Sequence, residues 1–175
     1  SRVRFPFKGD ILTGQKRNDK ILFKAMTIIT LTSDFGLLDP YVGIMKGVIL
    51  GIFPAAVLVD VTHLAPPQDV CAGAFRLATV YRYFPAGTVH LAVVDPGVGT
   101  QRRGLLVKTA DYYFIGPDNG LFSWVLQDES GWQAYSLDHP RYWRSEVSST
   151  FHGRDIFAPA AGHLLCGVPA EAFGA

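Results

Sequence analysis

Three short apolar runs, each followed by polar residues, constrain the fold more than any other feature of the sequence. The runs are 27–32, 56–61 and 88–94, and their β-branched and apolar content is typical of buried strands. Between them, 41–52 and 70–83 space apolar residues three and four positions apart, as on one helical face. This alternating order favours parallel strands joined by covering helices. The sequence therefore predicts an α/β fold with a mainly parallel sheet flanked by helices.

The rest of the chain continues with shorter predicted elements. Segments 105–109 and 112–115 resemble two strands joined by a short turn, and 120–126 and 156–165 have helical spacing. Asp69 stands directly before the second helix and is a typical N-cap residue. The 175 residues are 49% hydrophobic and 18% charged, which suits one domain with one buried core.

Charge is distributed unevenly along the chain. Residues 1–25 hold seven Lys/Arg and two Asp, whereas nine basic and thirteen acidic residues follow from Met26 onward. A basic leader before an acidic body argues against nucleic-acid binding by the folded part. We expect residues 1–25 to be a disordered or artefactual leader and 26–175 to be the folded α/β domain.

Membrane insertion and a disulfide framework also lack support in the sequence. The longest apolar stretch, 47–61, is interrupted by Pro54 and is too short to span a bilayer. The two cysteines, Cys71 and Cys166, lie far apart without a CxxC pattern. We therefore expect a cytoplasmic protein with no membrane partner.

Polar residues stand at the carboxyl ends of the three predicted strands. These residues are Ser33, Asp34, Thr62, His63 and Asp95. Ligands of open α/β sheets bind at carboxyl strand ends, so the residues at these three ends, Asp34 and Asp95 among them, are candidate site residues. In the loop after Asp95, Gly97 and Gly99 permit either close approach of a ligand or a tight turn. The loop has neither the Lys-Ser/Thr of a P-loop nor GxGxxG opening a helix.

A second polar cluster, 150–155, precedes the last predicted helix. From the local pattern alone, either Asp155 caps that helix with Arg154 in solvent, or the cluster faces the crevice. Three other histidines lack a partner pattern and are interpreted as structural: His63, His90 and His163. Since there is no HxH or HExxH spacing, we expect no metal site.

Seven blocks, in order from residue 26 to the end, carry a resemblance to a known family. They are TSDFG from Thr32, YVGIMKG from Tyr41, DVTH from Asp60, FPAGTVH from Phe84, DPGVG from Asp95, PDNG from Pro117 and TFHGRD from Thr150. Together they resemble the S-adenosylmethionine hydroxide adenosyltransferase family, which is homologous to the fluorinases and chlorinases. The resemblance implies an N-terminal α/β domain without its C-terminal β-barrel, and a homotrimer for the full-length protein.

The resemblance also implies an activity, the hydrolysis of S-adenosylmethionine to adenosine and L-methionine by attack of activated water on the ribose 5′ carbon. The family's water-handling residues correspond to Asp95, Arg102 and His152. Arg102 would hold Asp95 ionised and orient it. Either Asp95 or His152, with an ordinary imidazole pKa near 6.5, could take the proton of the water. No cofactor is implied, because S-adenosylmethionine is the substrate.

Five further positions are implied to bind the substrate: Asp34, Gln68, Val98, Phe151 and Gly153. A carboxylate such as that of Asp34 can accept hydrogen bonds from the two ribose hydroxyls. Gln68 stands where the halogenases carry a Trp, and Phe151 would pack against the reacting region. Val98 and Gly153 would line the nucleophile pocket with small or apolar surface.

Two alternatives stay open beside hydrolysis. One is a chlorinase-like halogenase, which the carboxylate of Asp95 disfavours because it would repel a halide and orient water. The fluorinases place a Tyr at that position. The other alternative is an inactive fragment that serves only as a binding or assembly domain.

Overall fold

The protein consists of one six-stranded sheet with helices on both faces, and the computed structural model describes residues 27–175. The strands are β1 (Ile28–Ser33), β2 (Val57–Thr62), β3 (Val89–Val93), β4 (Gly104–Lys108), β5 (Tyr113–Pro117) and β6 (Gln133–Ser136). The α-helices are α1 (Tyr41–Ile52), α2 (Val70–Val80), α3 (Ser123–Asp128) and α4 (Ala158–Leu165). The predicted leader, residues 1–25, lies outside the described residues.

The order of the strands is β2-β1-β3-β5-β4-β6. Strands β2, β1, β3 and β5 are parallel, whereas β4 runs antiparallel to both of its neighbours. The predicted α/β class with a mainly parallel sheet is therefore confirmed. Because β1 and β3 occupy the middle of this parallel half, their carboxyl ends meet at one edge of the sheet.

The sheet separates two apolar cores, as expected for a parallel sheet covered on both faces. Helices α1 and α4 cover one face, where Ile29, Ile49 and Phe157 are fully buried. Helices α2 and α3 cover the other, where Leu77 and Val125 are fully buried. None of the helices in residues 27–175 is long and apolar enough to cross a membrane.

Helices α1 and α2 follow the predicted boundaries closely, whereas α3 begins three residues later than the predicted helix 120–126. Helix α1 has the predicted bounds, and Asp69 caps α2 by accepting a hydrogen bond from the Ala72 N–H. The predicted helix 70–83 is α2 followed by a 3-10 turn at Tyr81–Tyr83. The predicted last helix begins earlier, because a π-helical turn at Gly153–Phe157 precedes α4.

Two strands depart from the predictions. Strand β2 was expected to be buried, yet it lies at the sheet edge and 52% of Val57 is exposed. Strand β6 was not predicted, because its sequence QAYS has no apolar run. Pairing with β4 stabilises β6, so its strand conformation depends on a tertiary contact.

His90 lies in the interior of the sheet, on the face covered by α2. Its Nδ1 is 2.8 Å from the Thr30 hydroxyl oxygen, and its ring stacks on Phe114 with centroids 5.1 Å apart. Burial lowers the pKa of His90 to about 4, because an apolar environment disfavours the charged imidazolium. His90 is thus a neutral core residue at physiological pH.

Candidate functional site

A cleft of about 250 Å³ lies at the carboxyl ends of β1 and β3. Its lining residues come from four segments of the chain: Asp34, Phe35, Pro67, Gln68, Val93, Asp95, Val98, Thr150, Phe151, His152 and Gly153. Seven of the eight predicted site residues are in this lining. The eighth, Arg102, contacts two of the lining residues and faces an adjoining cavity of about 270 Å³.

Arg102 links the other two predicted catalytic residues. Its Nε lies 3.0 Å from both carboxylate oxygens of Asp95, and its Nη2 also donates to Asp95. The same Nη2 lies 2.8 Å from Nδ1 of His152. The side chains of Asp95 and Arg102 are only 5% and 10% exposed, so this charged pair is largely shielded from solvent.

The contact with Arg102 fixes the protonation of His152. A guanidinium only donates hydrogen bonds, so Nδ1 of His152 must be the acceptor and the ring proton is carried by Nε2. Burial, followed by the positive charge of Arg102, lowers the pKa of His152. At neutral pH the imidazole is therefore uncharged, with an N–H group at Nε2.

A close contact between two loops brings these residues together. The loop 95–102 contains Gly99 with φ of +77°, a conformation that favours glycine. A Cβ at this position would overlap the carbonyl oxygen of Ser149. Gly99 therefore forms a tight turn. Its lack of a side chain also allows the loop that carries Asp95 to pack on the loop that carries His152.

A buried carboxylate anchors the second loop. Asp155 is fully buried and accepts hydrogen bonds from the Ser148 N–H at 2.9 Å and from Nε of Arg154 at 2.6 Å. Burial by itself would raise the pKa of Asp155. The hydrogen bonds and the nearby Arg144 outweigh burial and lower this pKa. The interpretation of Asp155 as a helix cap with a solvated Arg154 is therefore wrong. Sequence reasoning missed this anchor, although the block TFHGRD contains both residues.

The backbone after the loop is also unusual. His152 stands directly before the π-helical turn Gly153–Phe157, a type of turn that is often found at functional sites. A Cβ on Gly153 would lie 3.1 Å from the sulfur of Met45 and 3.4 Å from the Phe151 ring. Glycine therefore allows this turn to pack closely under the wall of the cleft.

Asp34 and Gln68 meet across the cleft wall. The Gln68 N–H donates to Oδ2 of Asp34 at 2.8 Å. Gln68 has φ of 62°, and this left-handed conformation costs a residue with a side chain about 1–2 kcal/mol. Such strain concentrates at functional sites. Within the described part of the chain Oδ1 of Asp34 has no hydrogen-bond donor, so it can accept one from a ligand.

Aromatic rings form the remaining wall. Phe151 packs edge to face against Phe35 and Tyr41, with ring centroids 5.9 and 5.2 Å away. Arg154 lies over the outer face of Phe151, 5.1 Å from the ring centroid. These contacts hold Phe151 in one orientation at the cleft.

Other features of the described residues differ from this cleft. A larger cleft of about 780 Å³ lies near the amino ends of β3 and β5, and its lining is mostly apolar, with Lys108 and Glu171 as the charged residues. Among residues 27–175, no group of three or more His, Cys, Asp or Glu side chains is arranged to hold a metal ion. Clustered polar chemistry therefore distinguishes the smaller cleft at the carboxyl strand ends.

The fold and the cleft together define an α/β protein with a polar cleft at the carboxyl edge of its sheet, the position where open α/β sheets bind their ligands. The chain belongs to the family described as the SAM hydroxide adenosyltransferase N-terminal domain, whose profile matches residues 29–174. This confirms the resemblance seen in the sequence blocks.

Curated relatives divide into two groups by similarity. A Thermus thermophilus protein named (R)-S-adenosyl-L-methionine hydrolase is 43% identical over 85% of this chain and 61% of its own length. A Salinispora tropica protein of the same name is 46% identical over 81% of this chain and 54% of its own length. A fluorinase from Nocardia brasiliensis is 29% identical, over 84% of this chain and 57% of its own length. The chain thus spans little more than half the length of these relatives.

A solved structure supports the same fold. The crystal structure of an uncharacterised conserved protein from Thermotoga maritima matches with a TM-score of 0.80 and 41% identity. The match covers 85% of this chain and 57% of that chain.

Proposed function

We propose that the protein containing this chain hydrolyses (R)-S-adenosyl-L-methionine to adenosine and L-methionine. The observation that carries the proposal is the hydrogen-bonded set Asp95, Arg102 and His152, of which the first and last line the same cleft as Asp34. Four relatives named for this hydrolase activity are 42–46% identical to the chain.

The chemistry explains why the site handles water rather than a leaving group. The water oxygen forms a bond to the ribose 5′ carbon while the bond from that carbon to sulfur breaks. The electron pair goes to sulfur, so methionine leaves as a neutral thioether and needs no general acid. One proton must leave the water, and a positioned base accelerates such a step by about 10²–10⁴-fold.

Hydrogen-bond directions favour Asp95 as the base. The Nδ1 lone pair of His152 is engaged by Arg102, and its Nε2 bears a proton, so His152 has no free acceptor. Oδ1 of Asp95 accepts only from Nε of Arg102 and keeps a further lone pair, whereas Oδ2 accepts from both Nε and Nη2. We assign proton acceptance to Asp95, orientation of Asp95 to Arg102, and orientation of Arg102 to His152.

The substrate roles follow from the same cleft. Oδ1 of Asp34 would accept a hydrogen bond from a ribose hydroxyl, while Gln68 holds the other oxygen of the carboxylate. Phe151 would pack against the reacting region, and Val98 and Gly153 would border the space for water.

Halide transfer is the competing activity within the family. The fluorinase relatives are 29–31% identical to the chain, well below the hydrolase relatives. In addition, a halide in this cleft would face the carboxylate of Asp95. Both observations favour hydrolysis over halogenation.

The remaining expectations are part of the same proposal. We propose a cytoplasmic homotrimer for the full-length protein that binds no nucleic acid and uses neither a cofactor nor a metal. Departure of a neutral thioether supports the last point, because no charge on a leaving group needs stabilisation.

The test is incubation of the purified chain with S-adenosylmethionine in buffers with and without chloride, followed by chromatography. We expect adenosine in both buffers. A chloride-dependent 5′-chloroadenosine product would contradict hydrolysis. Adenosine from a longer form of the protein but not from this chain would show that the chain alone is an incomplete enzyme.

A further inference from the structure

A network of hydrogen bonds ends at Ser33, next to Asp34 of the cleft, and its members lie outside the cleft lining. Nζ of Lys46 lies 2.6 Å from Oδ2 of Asp60, and Oδ1 of Asp60 lies 2.9 Å from Nε2 of His63. Nδ1 of His63 is 2.8 Å from the hydroxyl of Ser33. The Ser33 hydroxyl also accepts the Phe35 N–H at 3.3 Å. This hydrogen-bond network thus connects α1 and the edge strand β2 to the end of β1.

The direction of these hydrogen bonds is set by the donors available. When Ser33 donates its proton to Nδ1 of His63, the ring donates from Nε2 to Asp60. Each of the side chains in this hydrogen-bond network then has a partner. Hydrogen bonds from His63 and Lys46 outweigh burial and lower the pKa of Asp60. The ionised carboxylate of Asp60 therefore lies at the centre of this hydrogen-bond network.

This arrangement contains Ser, His and Asp but cannot supply a nucleophile. Ser33 and His63 are each only 3% exposed, and neither lines the cleft. In nucleophilic triads the carboxylate binds Nδ1 and the serine binds Nε2, whereas here the two ring nitrogens have the opposite partners. The alternative is that this arrangement positions the neighbouring loops.

The backbone around His63 shows what would be positioned. The carbonyl of His63 accepts the Gly36 N–H at 2.8 Å, and the carbonyl of Ser33 accepts the Ala65 N–H at 3.3 Å. The loops after β1 and β2 are thereby joined on both sides of Asp34. The hydrogen bond from Gln68 to Asp34 lies at the far end of this joined pair.

We propose that His63 is a positioning residue, which through Ser33 fixes the loop that presents the Asp34 carboxylate to the ribose of the substrate. The effect on substrate rests on the proposed function, whereas the effect on the loops does not. Loss of the His63 side chain should therefore weaken ground-state binding and loosen the loops, with little effect on the chemical step.

The test compares three variants of this chain. We expect His63→Ala to raise the Kd for adenosine and the KM for S-adenosylmethionine about tenfold and to change kcat by less than about threefold. His63→Asn, whose side-chain oxygen can replace Nδ1 as acceptor for Ser33, should recover most of the affinity. The matched control is His90→Ala, which removes another buried histidine bonded to a β1 hydroxyl, and which should lower stability without changing affinity.

Amide hydrogen exchange gives a readout that needs no ligand. In His63→Ala, but not in His90→Ala, the Gly36, Ala65 and Gln68 amides should exchange at least about tenfold faster. Unchanged exchange at these amides would overturn the positioning role, whether or not the chain binds adenosine. Equal affinity losses in His63→Ala and His90→Ala would overturn it as well. Absence of adenosine binding by the unmodified chain would show that this chain alone does not form the complete binding site, and the exchange measurement would still decide the positioning role.

Discussion

At the scale of single residues, the proposed mechanism depends on Asp95, Arg102 and His152 acting together. The carboxylate is held from behind by Arg102, and Arg102 is held in turn by a neutral His152. Because the interactions lie in series, the function of each residue depends on the next. The substitution that tests Asp95 as the proposed base is therefore one that removes its charge and preserves its shape.

Asp95→Asn is that substitution. We expect it to leave the Kd for adenosine within about threefold and to lower the turnover of S-adenosylmethionine by roughly two to four decades, the scale of a positioned base. Isothermal titration and single-turnover chromatography measure the two quantities. Turnover near that of the unmodified protein would remove Asp95 from the mechanism.

His90 determines part of the acid stability. Its pKa is about 4 in the folded protein and near 6.5 when unfolded, so the unfolded chain binds more protons between these values. Protonation of His90 therefore leaves the free energy of unfolding unchanged above about pH 6.5 and lowers it as the pH falls to about 4. At 1.36 kcal/mol per pKa unit the loss is roughly 3 kcal/mol.

Urea unfolding at pH 7 and pH 4 checks this value. The free energy of unfolding should fall by roughly 3 kcal/mol less in His90→Asn than in the unmodified protein. Equal losses in the two proteins would show that His90 does not titrate on unfolding in this range.

At the scale of elements, the site depends on the contact between loops 95–102 and 148–152. We expect Gly99→Ala to lower turnover about 10- to 100-fold, because a Cβ would push the Ser149 carbonyl away and separate Arg102 from His152. The matched control is Gly131→Ala. Gly131 has φ of +69°, but a Cβ there would meet nothing within 4 Å.

Comparison of the two alanine variants separates backbone strain from loop displacement. Both should lose about 1–2 kcal/mol of unfolding free energy from the left-handed conformation, but only Gly99→Ala should lose activity. Similar turnover in the two variants, measured by adenosine release, would indicate that the loop contact does not position the catalytic residues.

Prediction from the sequence succeeded where the signal was local. Runs and spacing within a few residues predict strand β1 and helix α1. The rule that ligands bind at carboxyl strand ends placed Asp34 and Asp95 among the candidate residues, and the family resemblance gave them roles. The exposure of β2 could not be predicted, since it depends on the order of strands in the sheet. Asp155 can be buried because the Ser148 N–H, seven residues earlier, donates a hydrogen bond to its carboxylate. No local sequence pattern encodes this contact.

At the scale of the whole molecule, the single sheet shared by two cores should make unfolding cooperative. Trp124 packs on Phe75 over the α2 and α3 face, and Trp143 packs against the core beneath α1 and α4. A variant with Trp124 as its only tryptophan and one with Trp143 as its only tryptophan would each report one face. We expect urea transitions with the same midpoint by fluorescence and by circular dichroism. Separate midpoints would indicate two folding units.

The turn between β4 and β5 has a practical consequence. Because β5 is parallel to β3, its amino end, and with it exposed Asp111, lies at the opposite edge of the sheet from the cleft. This turn is thus a natural attachment point for a dye or a surface tether. Asp111→Cys, with the two exposed native cysteines replaced, would allow immobilised or single-molecule assays in which the cleft faces away from the support.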